Sequence, residues 1–203
     1  MSCSCHQTNN KKRRIQLVSE YNRLLENTKK TMTLWKESWG IAPQSVSEKL
    51  DKAMLDWNLE LTEALSIWID KGLSMTTGEL ILARVNLGNI VEFWLKFFYS
   101  VYYEDYLQSP SMKKNKTIEP ESLTFEQLKN YSVGILWNNR NCDGYNWVES
   151  VQKKRNAVHS FLYREIGTNA EFLDDVNTLA DFVQSIVDRV PPLEECIIDA
   201  NNF

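Results

Sequence analysis

The sequence predicts an all-α fold, an up-and-down bundle of about five to six helices. Three observations carry that expectation. Helix-start signals recur: Ser45-x-x-Glu48, Thr76-x-x-Glu79, Thr124-x-x-Gln127 and Thr168-x-x-Glu171 each fit the capping box. In that motif a hydroxyl and a carboxylate or amide reciprocally satisfy orphan backbone N–H groups. Apolar residues recur at helical spacing, and runs with the alternation of half-buried strands are missing.

Taken in order, the first helix is expected over about residues 11–38, ended by Gly40 and Pro43. A second runs from about 46 to 70 and stops at Gly72, with Leu50, Met54, Leu55, Trp57, Leu61, Leu65 and Trp68 as its buried stripe. The third, about 77–107, is apolar nearly all round from Ile90 to Tyr103. Arg84, Asn86, Asn89, Glu92 and Lys96 interrupt it too often for a membrane span, so it reads as a central helix wrapped by the others. Residues 108–122, with Pro110, Pro120 and Lys113-Lys114-Asn115-Lys116, read as a mobile basic loop. A short helix follows at about 124–131, then one at about 143–166 capped by Asp143, then one at about 169–189 closed by Pro191-Pro192.

A chain of 203 residues suits one domain with a real core. The expected organisation is a disordered tail at 1–10, a single bundle over 11–190, and a tail at 191–203 docked through Ile197, Ile198 and Phe203. Net charge is −4, which argues against a dedicated duplex-DNA binder. The charge is uneven: residues 1–40 hold eight Lys/Arg against three acids, while 165–203 hold one Arg against nine. Such asymmetry suits either solvated surface or contact between copies.

The cysteines are Cys3, Cys5, Cys142 and Cys196. The first fourteen residues are polar and end in Lys11-Lys12-Arg13-Arg14, so no secretory signal is expected, and free thiols in a reducing cytoplasm are. Cys3, Cys5 and His6 are too closely spaced to suggest a zinc site, and no metal or cofactor is expected. Trp35, Trp39, Trp57, Trp68 and Trp94 fall mostly on helix stripes and read as packing. Trp137 and Trp147 flank Asn138-Asn139-Arg140-Asn141, where packing is favoured over base stacking. Asp174-Asp175 and Glu104-Asp105 read as surface charge.

Chemistry concentrates in Lys154-Arg155-Asn156-Ala157-Val158-His159, which holds the one histidine outside the N-terminal tail. On a continuous helix Arg155 falls mid-stripe among Val148, Val151, Leu162 and Ile166, with His159 about 40° to one side. A guanidinium cannot shed its charge, so burying it unpaired costs several kcal/mol. It must pair with an acid (Glu92 is the natural partner), line a solvated cleft, or sit at a subunit interface opening onto a phosphate groove.

The run Lys-Arg-Asn-Ala-Val-His-Ser-Phe, late in an all-α chain and after a long aromatic-rich helix, resembles the Arg-Asn…His signature of the HEPN superfamily. Members are small helical bundles, often homodimers, and many are metal-independent RNases of toxin–antitoxin and antiphage systems. The resemblance implies a composite site at a dimer interface, with Arg155 holding the scissile phosphate, His159 moving protons and Asn156 orienting the site. It covers about residues 77–190. Three residues separate Arg155 from His159, fewer than is usual in catalytic members.

The function expected first is therefore an RNA-cleaving homodimer, with an antitoxin or defence protein as a further partner and no membrane. Lys153, Lys154, Arg164, Tyr163 and the lysine loop would contribute to RNA binding. The alternative is a catalytically silent HEPN-like module binding RNA, a nucleotide or a protein, which the short spacing favours. A third is a helical adaptor or immunity protein using its acidic C-terminal third. No Gly-rich phosphate loop and no Gly-x-Ser-x-Gly elbow is present.

Overall fold

The computed structural model describes residues 3–159 and 161–192, with side chains from Lys12 onward. The described chain is an all-α helical bundle. Its helices are α1 (Cys3–Lys36), α2 (Gln44–Asp51), α3 (Leu55–Glu63), α4 (Leu65–Lys71), α5 (Thr77–Val101), α6 (Tyr103–Gln108), α7 (Phe125–Tyr131), α8 (Asp143–Arg155) and α9 (Asn169–Val187). Among them no helix is long and apolar enough to cross a membrane.

Helix α5 is the axis of the core. Leu87, Ile90, Val91, Trp94 and Leu95 are almost wholly buried, and α2, α3, α4, α8 and α9 all pack on it. That matches the all-round apolar character of its sequence. Thr76, Thr124 and Thr168 form complete capping boxes with Glu79, Gln127 and Glu171 at the starts of α5, α7 and α9. Ser45 and Glu48 do not form one, because α2 begins at Gln44 behind Pro43. Asp143 is the first residue of α8 rather than its cap, which is Cys142.

The single helix expected over about 46–70 is instead three. The chain breaks after Asp51, where Met54 leaves helical dihedrals (ψ 66), and bends again at Ala64. No Pro or Gly marks these breaks. They let Leu50 and Leu55 both reach the core while Met54 turns outward, so tertiary packing overrides an otherwise continuous helical pattern. Two of the tryptophans assigned to packing, Trp39 and Trp57, are exposed.

The basic loop is a formed hairpin. Strand β1 (Met112–Lys113) pairs antiparallel with β2 (Lys116–Thr117), and Lys114 and Asn115 take φ of 51° and 62° at the tip. Both central residues at positive φ are the mark of a type I′ turn, whose twist suits a two-residue hairpin. Tyr106 anchors its base: the backbone N–H of Ser111 donates to the phenol, which donates to the Ile118 carbonyl.

The charge asymmetry is met within one chain. Basic α1 lies along acidic α9, where Arg23 pairs with Asp181 and Asn27 donates to Gln184 at 2.6 Å. Helix α1 extends N-terminally to Cys3, through the segment expected as a tail. The side chains of Cys3, Cys5 and His6, and the expected docking of Ile197, Ile198 and Phe203, lie outside the described residues.

Candidate functional site

Helix α8 and the turn after it carry the Arg–His run. Val148 and Val151 are buried on α5 as the wheel projection requires, but the helix does not continue to Ile166. It ends at Arg155, and Asn156–His159 form a 3₁₀ turn. Four residues of α-helix would leave His159 about 40° from Arg155, whereas the tighter 3₁₀ period carries it about 120° round. The two side chains therefore do not share one face. Ala157 turns into the core, while Val158 and His159 are exposed and Leu162, expected on the buried stripe, is 77% exposed.

Arg155 is held against α5. Its Nη2 donates to Glu92 Oε2 at 2.8 Å and to Asn89 Oδ1 at 3.0 Å, and its Nε donates to Asn89 Oδ1 at 3.3 Å. Lys96 engages the other oxygen of Glu92 at 3.0 Å. The Arg155 side chain keeps 26% exposure, and its Nη1 donates to no other described residue. A guanidinium fixed on two edges with one edge left over is an oriented cation.

Gly88 makes this position possible. A Cβ there would meet Cγ and Cβ of Arg155 at 2.5 and 2.6 Å, so the stem of Arg155 occupies the space a side chain would take. Glu92 is the partner that the sequence singled out. Gly88 was not singled out, although a glycine between Leu87 and Asn89 in an otherwise bulky helix is the mark of a close approach.

Lys154 is turned towards α9. Its Nζ lies 3.3 Å from Asp175 Oδ2 on α9, and its side chain is 16% exposed. The same carboxylate pairs with Arg84, itself 2% exposed, and accepts from Trp147 Nε1 at 2.9 Å. Asp175, half-buried, is thus a hub for three donors rather than surface charge. Two cations on one carboxylate need further negative charge, and Glu171 stands near. Its carboxyl is held below the ordinary range mainly by the Thr168 backbone N–H, with help from Lys154 and Arg84. The hub was readable in outline: Asp175 falls between Phe172 and Leu179 on the buried stripe of α9, while Asp174 beside it is exposed.

Arg84 Nε also donates to the Ile166 carbonyl at 3.0 Å, which ties down the far end of the segment after His159. Gly167 follows at φ 72°, and a Cβ there would meet Glu171 Oε2 at 2.5 Å. Between these anchors Phe161, Leu162, Tyr163 and Arg164 project outward. Tyr163 is 86% exposed and donates to Glu165 at 2.9 Å, which raises its phenol pKa. Lys153 is exposed and paired with Glu149 at 2.9 Å. Asn156 caps α8 and is half-buried beside Arg155.

The structure therefore gathers exposed His159, Tyr163 and Arg164 with an apolar apron of Val158, Phe161 and Leu162, and sets Arg155 beside Glu92 and Asn89 of α5. On α5 itself Leu82 is exposed and Val85, Phe93 and Lys96 are half-buried. Trp137 is buried edge-on to Tyr145 (5.7 Å, 86°), so packing and not base stacking explains it. Among the described residues no cluster of His, Cys, Asp or Glu is placed to hold a metal ion. No family model matches the chain, and no curated protein or solved structure does so either.

Proposed function

We propose that the protein is a HEPN-like, metal-independent endoribonuclease of the toxin or antiphage-defence type, acting as a homodimer. Its main support is the exposed His159 imidazole, set among exposed Val158, Phe161, Leu162 and Tyr163, one helical end away from a cation that Glu92 and Asn89 hold in place. Exposed apolar side chains in such density mark a contact surface. Because the 3₁₀ turn rotates His159 away from its own Arg155, two protomers meeting at this apron supply the combination that one does not.

In the proposed reaction the neutral imidazole of one His159 takes the proton of an RNA 2′-hydroxyl, whose oxygen attacks the adjacent phosphorus. The bond from phosphorus to the 5′-oxygen breaks. That oxygen takes a proton from the partner protomer's protonated imidazole, leaving a 2′,3′-cyclic phosphate and a 5′-hydroxyl. The free Nη1 edge of Arg155 stabilises the charge developing on the phosphoryl oxygens. Asn156 orients the turn, and Lys153, Arg164 and Tyr163 contact the strand.

A second reading, a silent HEPN-like module that binds RNA, a nucleotide or a protein, is favoured by one observation: Arg155 and Lys154 are both engaged by acids. Mass measurement in solution and RNA cleavage separate the two. The nuclease reading expects a dimer, and a Phe161→Asp/Leu162→Asp variant that is monomeric, folded and inactive. A wild-type protein that binds RNA without cutting it supports the silent module.

A further inference from the structure

A pocket of about 190 Å³ lies between the end of α2 and the C-terminal half of α5. Phe93 and Phe97 line it from α5, where a spacing of four puts them on one face. Leu50 and Ala53 line it from α2 and from the break that follows that helix. An apolar cavity of about 150 Å³ takes benzene, so this one has room for a single aromatic ring and a small group attached to it.

Three lysines and one glutamate also line the pocket, and they are not equivalent. Lys49 is fully committed. Its ammonium donates to Glu119 at 2.6 Å and to Glu121 at 3.2 Å, and stands 4.1 Å from the centre of the Tyr103 ring. Glu121, the one acid of the lining, is neutralised by that pair. Lys52 is exposed and has no ion-pair partner among the described residues. Lys96 carries three N–H donors and pairs with one carboxylate, Glu92 at 3.0 Å. Two cations with donors to spare therefore stand beside an aromatic and aliphatic lining. The complement of that arrangement is one flat ring bearing one negative charge.

We propose that this pocket binds a small aromatic carboxylate of about the size of benzoate. The ring lies against Phe93 and Phe97, where offset or edge-to-face contact adds to the burial of apolar area. The carboxylate accepts charge-assisted hydrogen bonds from Lys52 and Lys96. The site includes neither His159 nor the apolar side chains around it. Its occupancy is measured without RNA, so it stands or falls separately from the RNA-cleaving reading.

An NMR chemical-shift titration of the isotope-labelled full chain tests it with benzoate, benzamide and acetate. Benzoate should shift the amides of Lys52, Ala53, Phe93 and Phe97 saturably, with a Kd below about 10 mM. Benzamide has the ring without the charge, and acetate the charge without the ring. Each should bind at least about fivefold more weakly than benzoate. Lys52→Glu should lose at least about fivefold in benzoate affinity. The melting temperature of that free variant should be unchanged, because the position is exposed and without an ion-pair partner among the described residues. Lys96→Gln should lose affinity by a similar factor. Absence of saturable benzoate binding below about 10 mM overturns the proposal, as do saturable shifts confined to another part of the fold. So does benzamide or acetate binding within about fivefold of benzoate, or both lysine variants keeping their affinity within that factor.

Discussion

The stem of Arg155 lies where the side chain of residue 88 would be: a Cβ on Gly88 would stand 2.5 Å from Arg155 Cγ and 2.6 Å from its Cβ. The clash falls on the root of the side chain, so α5 and α8 would have to separate. Gly88→Ala should therefore destabilise the fold by about 1–3 kcal/mol, although alanine in a helix interior ordinarily gains up to about 1 kcal/mol over glycine. Urea denaturation checks this. Unchanged or raised stability would mean that the two helices tolerate a wider spacing than the structure shows.

Asp175 and Asp174 are neighbours in sequence with opposite fates, which makes a paired test. Asp175→Asn leaves Arg84, 2% exposed, without its carboxylate, and should cost about 3–5 kcal/mol. Asp174→Asn, at an exposed position without an ion-pair partner among the described residues, should stay within about 0.5 kcal/mol. Thermal melts followed by circular dichroism distinguish them. Equal effects would remove the hub.

Stability should form a plateau in pH with two limbs. Glu119 and Glu149 have lowered pKa values, chiefly through hydrogen bonds from Lys49 and Lys153 respectively. A lowered carboxylate contributes fully above its unfolded pKa and loses that contribution as pH falls through the folded one. The melting temperature should therefore decline below about pH 4. Burial alone would lower Lys49 and Lys129, but the bonds they donate to Glu119 and Glu121, and to Glu126 and Glu149, leave both raised. Their contribution is complete below the unfolded lysine pKa and fades as pH rises through the folded one, above about pH 10. A melting temperature that keeps rising into alkaline solution would contradict this.

The hairpin tip gives a separate prediction for RNA. Lys113, Lys114 and Lys116 are exposed and without ion-pair partners among the described residues. Replacing all three by alanine should reduce the slope of log affinity against log salt by about 2 for single-stranded RNA. An unaltered slope would place the RNA elsewhere.

Most of the helical skeleton was legible because its signals are local. The boxes at Thr76, Thr124 and Thr168, and the apolar run of α5, needed no tertiary information. Glu92 as the partner of Arg155 was also legible, since a fixed charge on an apolar stripe requires an acid nearby. Two features were not. The end of α8 at Arg155 has no Gly or Pro to announce it, and Arg84 holds the Ile166 carbonyl from 82 positions away, a contact that no local signal reveals. Leu162 lies beyond that helix end and is exposed, against its place in the stripe. The breaks in the helix expected over about 46–70 likewise follow from which leucines reach the core, a matter of packing and not of local propensity.

His159 carries the proposed proton transfers, and RNA cleavage in a chelator-containing buffer measures them. Wild type should cut single-stranded RNA and leave cyclic phosphate ends, while His159→Ala should cut at least about a hundredfold more slowly with unchanged helical content. Equal cleavage by the two proteins would show that His159 moves no proton in the reaction.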